Sequence, residues 1–156
     1  MAAKISIQDI TDAGFRAAQF GTPDGEGAQS WDGAGGYLDR VIARAEQWSR
    51  GRFGGRYDAV DVDTPAGEYL RAAELCWASA QLWKRRAAFI DANAVSSLEA
   101  LAYRDREQFL DAAERAMACA EEQMALAIDP DQPAGSALGF AVAVTGPWKP
   151  RGLACG

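Results

Sequence analysis

At 156 residues and a net charge of −6, the chain is long enough for one domain, and it lacks the basic surplus of a general nucleic-acid binder. It has no histidine, which excludes Ser-His and Cys-His nucleophiles and histidine-ligated zinc. No apolar run approaches the roughly 20 residues of a membrane helix. We therefore expect neither a membrane segment nor a signal peptide, and the composition indicates no metal site or cofactor.

The first predicted element is a short helix over residues 5–18. Ser6 is a good N-cap, Asp9 completes a capping-box pattern, and Ile5 with Ile10 can form a hydrophobic staple across the cap. Residues 21–36 follow as a glycine-rich loop that is longer than a compact domain usually tolerates. Two interpretations stay open: a loop that orders against a partner, and a loop that is only mobile.

The second predicted helix covers residues 37–50, with Gly51 as its C-cap. Its apolar side chains keep helical spacing. Basic side chains crowd its end at Arg50, Arg52 and Arg56, where the helix dipole favours them. The acidic residues that follow are better explained as caps of the next helix than as calcium ligands: Asp58, Asp61 and Asp63.

Residues 64–93 form the predicted central helix, because Thr64 is an N-cap and Pro65 suits the first helical position. This segment is apolar on nearly every side, which predicts burial on nearly every side. The apolar positions are Tyr69, Leu70, Ala73, Leu75, Cys76, Trp77, Ala80, Leu82, Trp83, Ala87, Phe89 and Ile90. The helix is expected to reach solvent at Lys84, Arg85 and Arg86.

A last helical segment covers residues 97–128, and a break near residues 103–106 stays open. Ser96 and Glu99 form a second capping-box pattern. The sequence thus predicts an all-α fold, a small bundle of about four helices around a long central one, in a domain of residues 1–130. The three cysteines are Cys76, Cys119 and Cys155. Their odd number without paired spacing predicts reduced thiols in a cytosolic compartment, with the first two in the core.

Residues 131–156 form the predicted C-terminal arm. No charged residue occurs between positions 132 and 148, and large apolar residues alternate with small ones, as in a short β-strand. The strand either lies along its own bundle or adds to a sheet of another chain, and we favour the second. The predicted partner-binding residues of the arm are Leu138, Phe140, Val142, Val144, Trp148, Lys149 and Arg151.

The order of these elements resembles a known family. A short capped helix and a long loop lead to a helix ending in Ala45-Glu46-Gln47-Trp48-Ser49-Arg50-Gly51-Arg52. A proline-started helix with Trp83-Lys84-Arg85-Arg86 follows. Over residues 5–93 this is similar to the head–tail adaptor (connector, or head-completion) proteins of tailed bacteriophages and of phage-derived gene transfer particles.

The resemblance implies a structural virion protein of the neck region that is not an enzyme and that assembles in the host cytoplasm. It implies a homo-oligomeric ring, usually of twelve copies, docked beneath the portal protein. Such a ring extends the DNA channel, lets DNA pass without sequence-specific binding, and meets a tail terminator or stopper protein. The candidate subunit or channel contacts are Arg50, Arg52, Arg56, Lys84, Arg85 and Arg86.

Two alternatives remain. One is a helical binding or regulatory module. The other is a small helical enzyme with a pocket among four tryptophans: Trp31, Trp48, Trp77 and Trp83. Tryptophans at helical spacing are more often core residues than ligand contacts.

Overall fold

A computed structural model describes residues 3–20, 30–93 and 99–129, with side chains for 3–20, 30–89 and 106–129. Four α-helices are present there: α1 (Ile7–Asp12), α2 (Tyr37–Phe53), α3 (Pro65–Asn93) and α4 (Glu99–Ile128). Two 3₁₀ helices flank α2, the first at Ala17–Phe20 and the second at Gly54–Ala59. No strand occurs among these residues, so the all-α prediction is confirmed for them.

α1 begins as its sequence predicts. The N–H of Asp9 donates to Ser6 Oγ at 3.4 Å, and the N–H of Ser6 donates to the Asp9 carboxylate at 2.7 Å. Ile5 and Ile10 on either side of the cap are both buried. Asp9 also accepts a hydrogen bond from Arg71 of α3. Partial burial acts to raise the pKa of Asp9, but the hydrogen bonds from Arg71 and Ser6 outweigh it. The pKa of Asp9 is therefore below its ordinary value.

The predicted end of this helix near residue 18 is wrong. Gly14 adopts a φ of 92°, and its N–H donates to the carbonyl of Thr11 while the N–H of Phe15 donates to that of Ile10. This pair of bonds is a Schellman motif, in which a left-handed glycine stops the helix. Phe15 and Ile10 are both buried, as the hydrophobic contact of this motif requires.

The segment before α2 is a packed turn. The N–H of Tyr37 donates to the carbonyl of Ser30 at 2.9 Å. A Cβ on Gly36 would lie 2.6 Å from a backbone carbonyl oxygen, so this glycine permits close approach. The prediction of a flexible or partner-ordered loop is therefore wrong for residues 30–36, which are already ordered against α2. Residues 21–29 lie outside the described part of the chain.

α2 continues beyond its predicted C-cap. Gly51 lies inside the helix, and the cap is Gly54, which has a φ of 78°. Phe53 explains the extension, because it is buried in a core cluster with Tyr57 of the second 3₁₀ helix. Burying an aromatic side chain outweighs the roughly 1 kcal/mol that a glycine costs inside a helix.

α3 starts as predicted. The N–H of Gly67 donates to Thr64 Oγ1 at 3.1 Å, which makes Thr64 an N-cap before Pro65. A Cβ on Gly67 would lie 2.0 Å from the carbonyl oxygen of Asp61 and 2.7 Å from the Cα of Val62. The chain therefore crosses so close to the first turn of α3 that only glycine fits there.

α3 is the central element, since it packs against α1, the first 3₁₀ helix, α2 and α4. Its neighbours α2 and α4 are both antiparallel to it. Tyr37 at the start of α2 meets Arg85, and Phe109 in the first half of α4 meets Trp83. The expectation that Trp77 would be largely inaccessible is not met, because this residue and Cys76 are both half-buried.

α4 is one continuous helix, which settles the question of a break near residues 103–106. The prediction of reduced core cysteines is wrong for two of the three. Cys76 of α3 and Cys119 of α4 form a disulfide, with their Cα atoms 5.9 Å apart. Both cysteines lie on the faces by which the two helices pack, so packing brings them together across 43 residues of sequence. Cys155 and Ser96 lie outside the described residues.

The buried side chains form two clusters along α3. The first joins α1, the turn before α2, α2 and the middle of α3: Ile5, Ile10, Phe15, Phe20, Trp31, Leu38, Val41, Ala45, Ala78 and Leu82. The second joins the end of α2, the start of α3 and the end of α4: Phe53, Tyr57, Leu70, Ala73, Met124 and Ala127. The predicted arm, residues 131–156, lies outside the described part of the chain.

Candidate interaction surface

The basic run of α3 is spread around the helix. Lys84 and Arg85 are exposed, and Arg86 is half-buried. Successive residues of a helix are about 100° apart, so the three side chains leave α3 in different directions. Arg85 lies over a ring of α2 and Arg86 over a ring of α4.

A ladder of aromatic rings supports Arg85. Its guanidinium carbon lies 4.0 Å from the centroid of the Tyr37 ring, which stacks on Trp31 at 5.5 Å. Trp31 stacks in turn on Phe20 at 4.8 Å. A cation over a ring face is attracted without being neutralised. Arg85 is therefore held in position while its charge stays at the surface. A depression of about 210 Å³ opens beside it, lined by Phe20, Arg85, Ala88 and Phe89.

Two arginines of α2 extend this positive region. The Arg40 guanidinium carbon lies 5.9 Å from the Tyr37 centroid, and its Nη1 donates to the carbonyl of Gly35 at 2.9 Å. Arg44 is exposed one turn further along α2. We call Arg40, Arg44 and Arg85 the arginine face. Sequence patterns indicated only Arg85, since the packing of α2 on α3 is what brings Arg40 and Arg85 to the same ring.

Arg86 ties α4 to α3. Its guanidinium carbon lies 4.4 Å from the Phe109 centroid and 5.8 Å from that of Trp83. The two rings stack at 5.5 Å, and Phe15 meets Trp83 edge-on at 5.0 Å. Arg86 thus lies in an intramolecular contact, whereas Lys84, two residues earlier in the sequence, is an exposed cation.

At the opposite end of α3, Arg50 is bound to carboxylates of its own chain. It donates to both oxygens of Asp58 at 2.6 Å and to Glu46 at 2.8 Å. These bonds raise the pKa of the Arg50 guanidinium, first through Asp58, and the bond from Arg50 lowers the pKa of Asp58. The guanidinium also lies 4.5 Å from the Tyr57 ring centroid.

Arg52 and Arg56 lie at the same end. Arg52 makes a bidentate pair with Glu121 of α4, at 2.6 and 2.7 Å, and lies over the Trp48 ring. Arg56 is exposed and lies 5.4 Å from the Phe53 ring centroid. Of the six basic candidates, Arg50 and Arg52 are therefore engaged in ion pairs within the chain, while Arg56, Lys84 and Arg85 are exposed.

A buried carboxylate that sequence patterns did not indicate lies near this end. Glu74 of α3 is fully buried, and it accepts hydrogen bonds from the Tyr57 hydroxyl and, at 2.8 Å, from the N–H of Lys4. Burial raises the pKa of Glu74, and these bonds offset only part of that rise. Burial and the bond to Glu74 also raise the pKa of Tyr57.

The Glu74 carboxylate also holds the N-terminal segment in place, through the N–H of Lys4. Lys4 Nζ donates to the carbonyl of Val60 at 2.7 Å and lies 5.0 Å from the Tyr57 ring centroid. Glu74 therefore joins the N-terminal segment and the second 3₁₀ helix to α3. Glu74 is fully buried in the described structure, and its hydrogen bonds hold these three segments together.

The four tryptophans do not meet around one pocket. Trp31 and Trp83 belong to the two ring stacks described above, and Trp48 stacks on Trp77 at 6.3 Å. Their faces are used in packing α2, α3 and α4 together. Within the described ranges, no three or more Cys, Asp or Glu side chains are grouped so that they could hold a metal ion.

The predicted contact residues of the arm lie outside the described part of the chain, and so do their surroundings: Leu138, Phe140, Val142, Val144, Trp148, Lys149 and Arg151. None of the helices that the structure describes is long and apolar enough to cross a membrane. No family model, no curated protein and no solved structure matches this chain.

Proposed function

We propose that this protein is a head–tail adaptor of a tailed phage or phage-derived particle. In that role, copies of the chain form a ring beneath the portal protein, extend the DNA channel and offer a surface to the tail or to a stopper protein. The observation that carries the proposal is α3, a long proline-started helix that packs against every other described α-helix. The order of elements that the sequence predicts over residues 5–93 resembles that of the adaptor proteins, and this supports the proposal.

The surface of the bundle suits such a ring. The net charge of −6 keeps a channel wall from binding phosphate along its length. Two of the positive charges of the arginine face, on Arg40 and Arg85, lie over the Tyr37 ring. Fixed, exposed charges are well placed to orient a subunit against a neighbour.

The test uses purified portal rings of the same particle. We expect the full chain to bind the portal and a variant lacking residues 135–156 to lose that binding, because the uncharged arm supplies the main-chain and apolar contacts. Circular dichroism should show the helical signal of the truncated variant unchanged. Undiminished portal binding would contradict the role of the arm, and loss of the helical signal would show that the arm belongs to its own core.

A helical binding module is the second candidate, and the depression beside Arg85 favours it. An apolar floor next to a fixed guanidinium is suited to a small acidic ligand or an acidic side chain. A protein that stays monomeric in the presence of portal rings would favour this second function.

A further inference from the structure

The outer side of α4 carries a row of carboxylates, with the exposed Arg115 one turn after Asp111 at the edge of the same face. Glu107, Asp111 and Glu114 are exposed and follow one another at steps of four and three residues, so they share one face over about 10 Å of helix. Ala113, on the opposite side of α4, is buried. None of the three carboxylates takes part in an ion pair within the described residues. We call them the acidic face.

The arginine face is its complement in charge. Arg40 and Arg85 lie over the Tyr37 ring, Arg44 is exposed one turn after Arg40, and neither Arg44 nor Arg85 forms an ion pair with any described residue. Arg40 and Arg44 are one turn apart, about 6 Å along α2.

The two faces point away from different sides of α3. Arg85 marks the side covered by α2, and Arg86 marks the side covered by α4. The carboxylates lie on a side of α4 away from the buried Ala113. One copy of the chain therefore presents both faces to solvent in different directions.

We propose that the acidic face of one copy docks on the arginine face of the next copy. This inference rests on the proposed ring function and names the surfaces through which neighbours meet. A contact between two different patches is heterologous, and repeated with a fixed rotation it closes into a ring. The chain has a net charge of −6 and itself carries an acidic face that is complementary to the arginine face. This complementarity identifies a second copy as the partner, because no other acidic surface is then needed to bind the arginine face.

The contact should be weak in dilute solution. Exposed ion pairs each contribute little, and salt screens them. Copies would then stay apart until high concentration or a docking platform brings them together, which confines ring closure to the assembly site.

Two charge-reversal variants test the contact by sedimentation velocity at high protein concentration. R44E/R85E makes the arginine face acidic, and D111K/E114K makes the acidic face basic. We expect wild-type protein to self-associate in about 0.02 M salt. Its association constant should be lower by a factor of about ten or more in about 0.5 M salt. Each variant alone should be monomeric, and an equimolar mixture should associate again, because the reversed faces are complementary to each other.

Matched controls carry the same change in net charge at other exposed positions. R16E/R56E is the control for the arginine face, and E122K/D129K is the control for the acidic face. Both should associate like wild type. The proposal is overturned if wild-type protein stays monomeric at low salt, if the two variants associate normally, or if their mixture does not. Portal binding is a separate readout, so retained portal binding with any of these results would leave the adaptor function standing.

Discussion

Near the N-terminus of α3, Arg50 and Arg52 are bound by carboxylates of their own chain, whereas Arg85 in its C-terminal half rests on the ring of Tyr37. We call these the closed end and the open end of the bundle. A carboxylate neutralises the cation that it holds, while an aromatic ring holds the cation and leaves its charge available. Similar runs of basic residues therefore form intramolecular ion pairs at the closed end and present an unneutralised charge at the open end.

The largest expected effect concerns the core beneath the open end. Leu82 is fully buried, so Leu82→Ala should lower the free energy of unfolding by about 2–5 kcal/mol through lost burial and a cavity. Leu75 is only half-buried, and Leu75→Ala should cost less. Urea unfolding of both variants measures this. Equal losses, or losses below about 1 kcal/mol at both positions, would mean that the core has been misplaced.

The disulfide should stabilise both ends alike. It closes a loop of 43 residues, so replacing Cys76 and Cys119 by serine should cost about 2–4 kcal/mol. The expected loss is similar when the wild-type protein is unfolded in the presence of a reducing agent. Thiol alkylation and mass spectrometry check the bond directly: one reactive thiol per unreduced chain is expected, and three would contradict the pairing.

A substitution at one glycine should destabilise the closed end selectively, and a substitution at a second glycine is its control. Gly67→Ala should cost about 1–3 kcal/mol, because its Cβ would lie 2.0 Å from a backbone oxygen that cannot move aside easily. Gly51→Ala is the matched control, since a Cβ there meets nothing within 4 Å and the residue lies inside a helix. It should gain about 0.5–1 kcal/mol. Thermal unfolding that ranks the two variants in the other order would contradict the close crossing at Gly67.

Glu74 makes the closed end sensitive to pH. Burial raises the pKa of Glu74 in the folded state above its unfolded value. The stability that this group contributes is therefore fully present below the unfolded pKa and is lost as the pH rises through the folded pKa. Glu74→Gln keeps an acceptor for the N–H of Lys4 and a donor for the Tyr57 oxygen, and it does not ionise. The unfolding free energy of Glu74→Gln should therefore rise relative to that of wild type as the pH increases above the unfolded pKa of Glu74. Parallel pH profiles would contradict a buried, titrating carboxylate.

Local signals in the sequence predicted the starts of elements better than their ends. The cap at Ser6 and the Thr64-Pro65 start involve residues within four positions of each other, so the pattern contains the whole interaction. Gly14 was a readable stop signal that the prediction did not use. The extension of α2 to Phe53 depends on burial against residues far along the chain, and no local pattern reports that.

The candidate surface shows the same limit more strongly. Arg52 meets Glu121 across 69 residues, and the N–H of Lys4 meets Glu74 across 70. Packing therefore decides which arginine is paired with a carboxylate and which is not. The sequence alone does not distinguish them, because they all occur in similar runs of basic residues. The antiparallel packing of α2 on α3 is what brings Arg40 and Arg85 to the ring of Tyr37.

Assembly on purified portal rings, imaged by negative-stain electron microscopy, tests the central claim most directly when wild type is compared with two neutralised variants. Arg85→Gln removes the charge at the open end, and Arg52→Gln breaks an exposed ion pair at the closed end that contributes about 0–1 kcal/mol. We predict a complete additional ring on the portal with wild type and with Arg52→Gln, and a ring of lower occupancy with Arg85→Gln at unchanged thermal stability. Bare portal rings with wild type, or rings that survive Arg85→Gln but not Arg52→Gln, would contradict the account.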